Sequence, residues 1–435
     1  MFFYNTFMNA KRSIFNLKGN KIIKDVQWSF LSIVTSSLSH LLLRMVLGKE
    51  LGPMGLGTYT LVFTIYILGT EFAAFGYGSA LTYYIAKYKN NISKIEEYIS
   101  SGVIGSIVSG FIMGIILYSF SEFISASFFH IPEMVTLLRL TAVCFPFIAI
   151  QKVTLGTLNG FRKMNYFATI NILQNTLVFL LSVFFVFFLK MGVTGAVIGF
   201  VVSSLIIGTV SLLYLRKSFS LPSRVSLVNI LREITWFGFY VVFGNSINMI
   251  NTQIDSLLIG RFMSETDVGY YATAIIMIQG MTLLPGAVQQ VTNPEIATYY
   301  GRKEYSNIKK LVKNTMSKIF VIEVLLLIFL AIFGKYIIFI LFSENFAPAY
   351  TPMLILSVGY MIYSPWISVG AVFSSIGKVN LSFKLNGICA ILNTILNLLL
   401  IPKFGIIGAA SATTFSLIFT LMINLYFVRR YMREY

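Results

Sequence analysis

Long unbroken apolar runs are what most constrain this chain. They recur at 26–47, 59–86, 99–120, 134–158, 167–189, 193–215, 234–259, 268–291, 319–342, 352–373, 385–401 and 406–428. Each is close to the ~20 residues that a helix needs to cross a ~30 Å hydrocarbon core. Strands of a membrane barrel would alternate polar and apolar residues, and these runs do not. Charged residues are 11% of the 435, against about 25% in soluble domains. So little charge cannot coat a soluble surface of this size. Lipid must form most of the surroundings, and lipid admits only helices or closed barrels. The expected fold is an all-α integral membrane protein with twelve transmembrane helices.

The basic residues give these spans a direction. Of the 33 Lys and Arg, 25 fall in the N-terminal segment, the even-numbered connections and the C-terminus. Five fall in the odd-numbered connections: Lys49, Lys190, Arg261, Lys335 and Lys403. Strict alternation of this kind predicts that both termini are cytoplasmic in a cell membrane. The net charge of +17 then reads as loop charge facing an anionic leaflet rather than as a nucleic-acid surface. Cys144 and Cys389 both sit inside apolar runs and form no metal spacing, so neither a zinc site nor a structural disulfide is expected. The first run is too long for a signal-peptide core.

The chain repeats itself. Gly48, Gly57 and Tyr59 align with Gly260, Gly269 and Tyr271 at an offset of 212. Gly192, Gly195 and Ala196 align with Gly405, Gly408 and Ala409 at 213; Lys163, Asn165 and Asn171 align with Lys378, Asn380 and Asn386 at 215. A nearly constant offset at equivalent helix positions indicates duplication. Six spans per copy is an even number, so the repeats are parallel. That suits alternating access around a site between the halves. The expected division is a segment 1–25, a six-helix lobe 26–215, a linker 216–233 and a second lobe 234–435. Leu227, Leu231 and Ile234 share one helical face, so this linker is expected to lie at the membrane interface.

Polar residues inside the spans are the candidate site. The first helix places Ser32, Ser36, Ser39, His40 and Arg44 near one face, and the seventh places Asn245, Asn248, Thr252 and Asp255 likewise. Two matched stripes would line one aqueous cavity; the alternative is interhelical hydrogen bonding. Intramembrane charge costs roughly 2.5–3.5 kcal/mol per residue on insertion scales, so each case requires a reason. Glu71 lies about 18 Å into its helix beyond Tyr59, too deep for a short side chain to reach water. Lys152 is comparably placed, and Arg44 and Asp255 lie nearer the outer ends. The candidate substrate-binding set is Arg44, Lys152, Glu71, Asp255, His40 and Asn248. Arg139 and Glu323 sit closer to the ends of their apolar runs and read as anchors. The pairs Gly110/Gly114, Gly156/Gly160 and Gly195/Gly199 indicate close helix packing, and Pro146, Pro285 and Pro365 are expected to kink their spans. No P-loop, zinc spacing or nucleophile elbow is present, and no cofactor or catalytic residue is expected.

The segment LGKELGPMGLGTYTLVFTIYILGTEFAAFGYGSALTYYIAKY, residues 47–88, resembles the polysaccharide flippase family, as does DSLLIGRFMSETDVGYYATA, residues 255–274, followed by Pro294-Glu295. This is the O-antigen-translocase type within the superfamily of multidrug, oligosaccharidyl-lipid and polysaccharide exporters. The resemblance implies a multidrug-and-toxic-compound-extrusion-like fold. It also implies movement of a polyprenyl-pyrophosphate-linked oligosaccharide from the inner to the outer leaflet, through a cavity that is often cationic. The expected partners are that lipid-linked oligosaccharide, membrane lipids and a coupling proton or sodium ion, with the protein a monomer. Arg44 and Lys152 would attract phosphate; Glu71 and Asp255 would pair with them or couple to the ion.

The rival readings are a cation-coupled drug exporter of the same superfamily, in which Glu71 and Asp255 would dominate, and a membrane glycosyltransferase or sugar polymerase. The second needs catalytic groups on a substantial loop, and the odd-numbered connections are short and poor in carboxylates. A major facilitator transporter also has six plus six helices, but 87–98 lacks that family's acidic-basic loop motif.

Overall fold

The computed structural model describes residues 21–220, 223–370 and 372–431; the N-terminal segment before Lys21 lies outside them. Continuous helix runs over Lys21–Ala74 and Val379–Tyr431. Fifty-three residues of straight helix would be about 80 Å long, far more than a bilayer core. Each stretch therefore folds back, at Gly52 (φ 68°, ψ −174°) and at Gly405 (φ 60°, ψ −140°). Both conformations are open almost only to glycine. Pro53 opens the next helix with φ already set and no missing hydrogen bond. Cross-hairpin contacts confirm the fold-backs: the His40 and Phe63 rings are 5.6 Å apart, and Asn393 Nδ2 donates to Thr413 Oγ1 at 3.1 Å.

Twelve helices follow among the described residues. In the first half they are α1 (21–51), α2 (53–74 and Tyr77–Lys87), α3 (Ile92–Glu122), α4 (Met134–Ala142 and Phe145–Gly160), α5 (Met164–Val183) and α6 (Gly192–Leu215). In the second they are α7 (Arg224–Phe262), α8 (Glu265–Ile278 and Gly280–Gly301), α9 (Tyr305–Leu341), α10 (Tyr350–Ile367 and Val372–Ser375), α11 (379–404) and α12 (406–431). These are two parallel six-helix repeats, as the sequence predicts. Lys21 and Tyr431 lie at the end that carries most of the Lys and Arg, here termed the basic end; the opposite end is charge-poor.

The second and fourth helix of each half are broken. α2 breaks at Phe75 (φ 42°) and Gly76 (φ 67°); α4 bends by 46° and α8 by 43°. Of the three expected proline kinks, only Pro146 coincides with a bend, where it opens the second piece of α4. The bend in α8 falls at Gln279, ahead of Pro285. Pro285 cannot donate to the carbonyl of Met281; the Ser364 hydroxyl on α10 donates to it instead, at 3.0 Å. Near the break in α2, Ser109 Oγ donates to the Ala73 carbonyl at 2.6 Å. Broken spans in lipid require this kind of substitute donor.

Every GxxxG glycine meets a neighbouring element. A Cβ at Gly156 would lie 2.0 Å from the Gly78 carbonyl, and one at Gly199 would lie 2.2 Å from Ser182 Oγ. Lipid is as apolar as the side chains it borders, so packing density holds these helices together more than water exclusion does. A capping box starts α8: Ser264 Oγ accepts from Asp267 N (3.3 Å) while Asp267 Oδ2 accepts from Ser264 N (3.2 Å). Ser264→Ala is expected to cost about 1 kcal/mol, read as a lowered thermal midpoint in detergent; an unchanged midpoint would remove the cap from the stability account.

The packed core has a Y shape. At the charge-poor end one cluster unites the halves, with Leu43, Leu47, Leu56 and Tyr59 packed in the same core as Tyr271, Phe342, Phe346 and Met353. At the basic end the cores are separate. One holds Tyr77, Tyr84, Tyr98 and Ile99 with Ile230 and Ile234 of α7; the other holds Ile296, Val312, Trp366, Phe373, Leu385 and Val428. The first turns of α7 thus rest on the first half, with Tyr98 Oη donating to Glu233 Oε2 at 2.5 Å and Ser226 Oγ to Glu97 Oε2 at 2.7 Å. Two halves that share one core at the charge-poor end and keep separate cores at the other, bridged there by the start of α7, leave a cleft that opens at the basic end.

Candidate functional site

The mouth of the cleft is a cavity of about 310 Å³. Asp25, Ser29, Phe30 and Ile33 of α1, Asn159, Arg162 and Met164 around the α4–α5 turn, and Gln290 of α8 line it. Both halves contribute to it. Arg162 Nη2 lies 3.3 Å from Asp25 Oδ2.

Helical spacing carries two of these walls inward. His40 and Arg44 follow Ile33 by seven and eleven residues, so they continue its face toward the charge-poor end. On α4, Lys152 is the one exposed position between Ile148 and Leu158. It precedes Asn159 by seven residues and shares its face, about 10 Å deeper. The first half therefore presents Arg162 at the mouth, Lys152 further in, and His40 and Arg44 deepest. Neither Lys152 nor Arg44 is paired with a carboxylate among the described residues, where the ion pairs are Arg162–Asp25 and Lys190–Glu50. His40 lies beside Arg44 and Asn175.

The α7 wall is neutral. Asn245, Asn248 and Thr252 are exposed along it, and Asn245 Nδ2 donates to Glu71 Oε2 at 2.9 Å, from one half to the other. Asp255 does not join this stripe. It is 6% exposed and turns into the second half, where Tyr271 Oη (2.5 Å) and Thr413 Oγ1 (2.6 Å) donate to Oδ2 and Asn397 Nδ2 (2.8 Å) donates to Oδ1. Neither Glu71 nor Asp255 pairs with Arg44 or Lys152. The repeat sharpens the contrast: Tyr59 is within electrostatic reach of Arg44, whereas its equivalent Tyr271 bonds Asp255. The equivalent tyrosines thus face opposite charges in the two halves.

Glu323 requires a correction. Its apolar run begins at Ile319, which made it look terminal, but α9 begins at Tyr305. Glu323 is mid-helix, fully buried, and neither carboxylate oxygen has a hydrogen-bond partner. Arg139 Nε donates to Ser121 Oγ at 3.1 Å, and its guanidinium lies 5.2 Å from the Tyr118 ring centroid. Sequence reasoning missed the Arg162–Asp25 pair and the Asn393, Asn397 and Thr413 surround of Asp255. The four-residue spacing of Asn393 and Asn397 within an apolar run was the available signal. No group of three or more His, Cys, Asp or Glu that could hold a metal occurs among the described residues.

Comparison with known proteins fits this geometry. The family model described as polysaccharide biosynthesis protein matches residues 22–299, and the MatE model matches 235–399. An uncharacterized membrane protein of Methanocaldococcus jannaschii is 25% identical over 432 residues, covering 94% of this chain and 84% of its own. A putative O-antigen transporter of Shigella flexneri is 21% identical over 399 residues, covering 89% and 93%. The lipid II flippase MurJ, in an inward closed conformation, superposes with a TM-score of 0.76 at 17% identity, covering 93% of this chain and 87% of that one. With the family model spanning well over half the chain, and a duplicated six-helix fold around a polar cleft, this protein belongs to the polysaccharide biosynthesis protein family.

Proposed function

We propose that the protein moves a polyprenyl-pyrophosphate-linked oligosaccharide from the cytoplasmic to the outer leaflet of the cell membrane by alternating access. The observation that carries this reading is the set of cations on the first half's wall. Lys152 and Arg44 are expensive to keep unpaired within a membrane, and an anionic ligand repays that cost. A pyrophosphate entering at Arg162 would meet Lys152 and then Arg44, while its lipid tail stays in the bilayer. The excess of Lys and Arg at the basic end supports a cytoplasmic placement of that end, so the cleft is open toward the side where such lipids are glycosylated. A drug exporter for organic cations would call for an acidic cleft; here Glu71 is engaged by Asn245. Asp255, held by neutral donors away from the cleft, is suited to a coupling proton or sodium ion.

In proteoliposomes with a fluorescent polyprenyl-pyrophosphate oligosaccharide, Lys152→Ala and Arg44→Ala are each expected to lower the flipping rate at least tenfold, the scale of a lost charge-assisted contact. Glu71→Gln is expected to act on the same assay more weakly, since an amide retains a hydrogen bond with Asn245. Unchanged flipping in both cation variants would remove these residues from the substrate path.

A further inference from the structure

A second cavity of about 170 Å³ lies in the basic half of the C-terminal lobe. It sits between α8, α10, α11 and α12, against the break in α10. Its polar lining is Gln289, Tyr363, Ser382, Asn386 and Asn424, with Trp366 and Phe373 as aromatic walls. Among the described residues, no charged side chain lines it. Several of these polar groups are uncommitted. The side chains of Gln289, Ser382 and Asn386 form no hydrogen bond with described residues, and Asn424 uses only its Nδ2, donating to the Thr420 carbonyl at 2.8 Å. The first half shows the ordinary alternative: Asn171, the repeat equivalent of Asn386, is engaged with its own helix through the Phe167 carbonyl at 3.2 Å. Trp366 is 4% exposed and its ring lies 6.0 Å from Phe373.

Amides that both donate and accept, beside aromatic faces and without charge, are chemically matched to one class of ligand. Vicinal hydroxyls of a pyranose accept from and donate to a single Asn or Gln, and the ring's C–H face packs on an aromatic plane. A phosphate would want cations, and a drug-like cation would want carboxylates. Gln289 is adjacent to Gln290, which lines the mouth cavity shared with Arg162. The two cavities therefore flank one stretch of α8.

We propose that this cavity is a glycosyl subsite that reads one neutral hexose or N-acetylhexosamine ring of the cargo while the pyrophosphate stays with the cations of the first half. The proposal rests on the flippase reading for its physiological ligand, but the recognition chemistry stands on the cavity alone. The division of labour follows from it: the N-terminal lobe takes the charge common to all such lipids, and the C-terminal lobe takes the sugar that differs among them.

The chain has three tryptophans. Replacing Trp28 and Trp236 by Phe leaves Trp366 as the sole reporter in the full-length protein, reconstituted in nanodiscs. Titration with neutral methyl hexopyranosides and methyl N-acetylhexosaminides is expected to give a saturable change in Trp366 emission with at least one of them. Gln289→Ala and Asn386→Ala, on different helices, are each expected to weaken it about tenfold, the scale of one lost hydrogen bond. Methyl glucuronide, which is charged, is expected to bind less well. No saturation with any neutral glycoside, or saturation indifferent to both substitutions, overturns the subsite. A second arm separates the two readings, using proteoliposomes that carry fluorescent polyprenyl pyrophosphate with and without its sugar. If the wild type moves the glycosylated lipid faster and Asn386→Ala erases that advantage, both readings hold. If both substitutions slow the two lipids equally, the subsite falls and the flippase reading stands. If the wild type moves neither lipid, the flippase reading falls and the glycoside titration still decides the subsite.

Discussion

Gly57→Leu is expected to stop flipping while leaving both lobes folded. A Cβ at Gly57 would lie 1.7 Å from the Glu265 carbonyl oxygen and 2.9 Å from Gly269 N. Its repeat equivalent behaves in the same way: a Cβ at Gly269 would lie 2.0 Å from the Pro53 carbonyl oxygen. Each glycine lets the start of the other half's helix, α8 or α2, come against its backbone. Backbone cannot yield as a flexible side chain does, so any side chain here must push the halves apart. Overpacking a tight contact costs about 1–3 kcal/mol, and a leucine between two backbones belongs at the upper end, a population shift on the order of 100-fold. The contact is between lobes, so the least costly relief is separation at the charge-poor end. The variant should then favour a state open on that side. Two measurements check this: flipping in proteoliposomes should fall on the order of 100-fold, and a cysteine at Thr58 should react faster with a membrane-impermeant maleimide applied from the charge-poor side. A thermal midpoint close to the wild-type value would show that the lobes themselves survive. Wild-type flipping by Gly57→Leu would mean that this contact does not gate transport.

The sequence contained both glycines of that contact and matched them at an offset of 212. It could show that they occupy equivalent places; it could not show that those places touch, because contact between copies leaves no periodicity along the chain. The same limit applies at Asp255. Its depth and charge were legible, but Asn397 and Thr413 lie more than 140 residues away and on helices whose packing hydropathy does not encode. Helix existence was the best-determined property, since twenty apolar residues have few other uses. Helix ends were the worst. Lys and Glu are good helix formers, so α9 continues outward through Lys318, Lys313 and Lys309 to Tyr305, beyond the point where hydropathy stops. This displaced boundary is what made a buried Glu323 resemble an anchor. At the charge-poor end the opposite occurred: 48–58 reads as a loop, yet the turn is compressed into Gly52 alone, with helix on either side. Of the cationic wall, Arg44, His40 and Lys152 were visible as charge or imidazole within apolar runs. Arg162 was not, because a basic residue in a connection reads as topology charge, and beside Lys163 nothing in the sequence marks it as the one that faces the cleft.

With Asp255 in the proposed coupling role, Asp255→Asn should separate transport from an imposed ion gradient. The wild-type carboxylate has no cationic partner among the described residues, and its bonds from Tyr271, Thr413 and Asn397 are those of neutral donors. The amide of Asn397 that reaches it has a buried Oδ1 with no hydrogen-bond partner. Burying an ionised carboxylate on these terms is costly, and a bound sodium ion or a proton removes the charge. Such an ion has a mechanical handle. The far half of α7 is tied by Asp255 to α8, α11 and α12. The near half is tied to the other lobe, where Tyr77 Oη lies 3.1 Å from Thr235 Oγ1 and Tyr98 holds Glu233. Binding at Asp255 therefore fixes one end of a helix whose other end rides with the opposite lobe. Coupling of this kind is worth about 1–3 kcal/mol, or 5–150-fold in an equilibrium. Asparagine has nearly the same shape and keeps one acceptor, so the fold should persist. The flipping rate should fall on the order of tenfold to 100-fold and lose its response to an imposed sodium or proton gradient. The thermal midpoint should also stop rising with sodium or with acid, because an ion that binds only the folded state stabilises it by mass action. If Asp255→Asn retains the full gradient response, the coupling group lies elsewhere. Glu323, the other buried carboxyl without a charged partner among the described residues, then becomes the residue to substitute with Gln in the same assay.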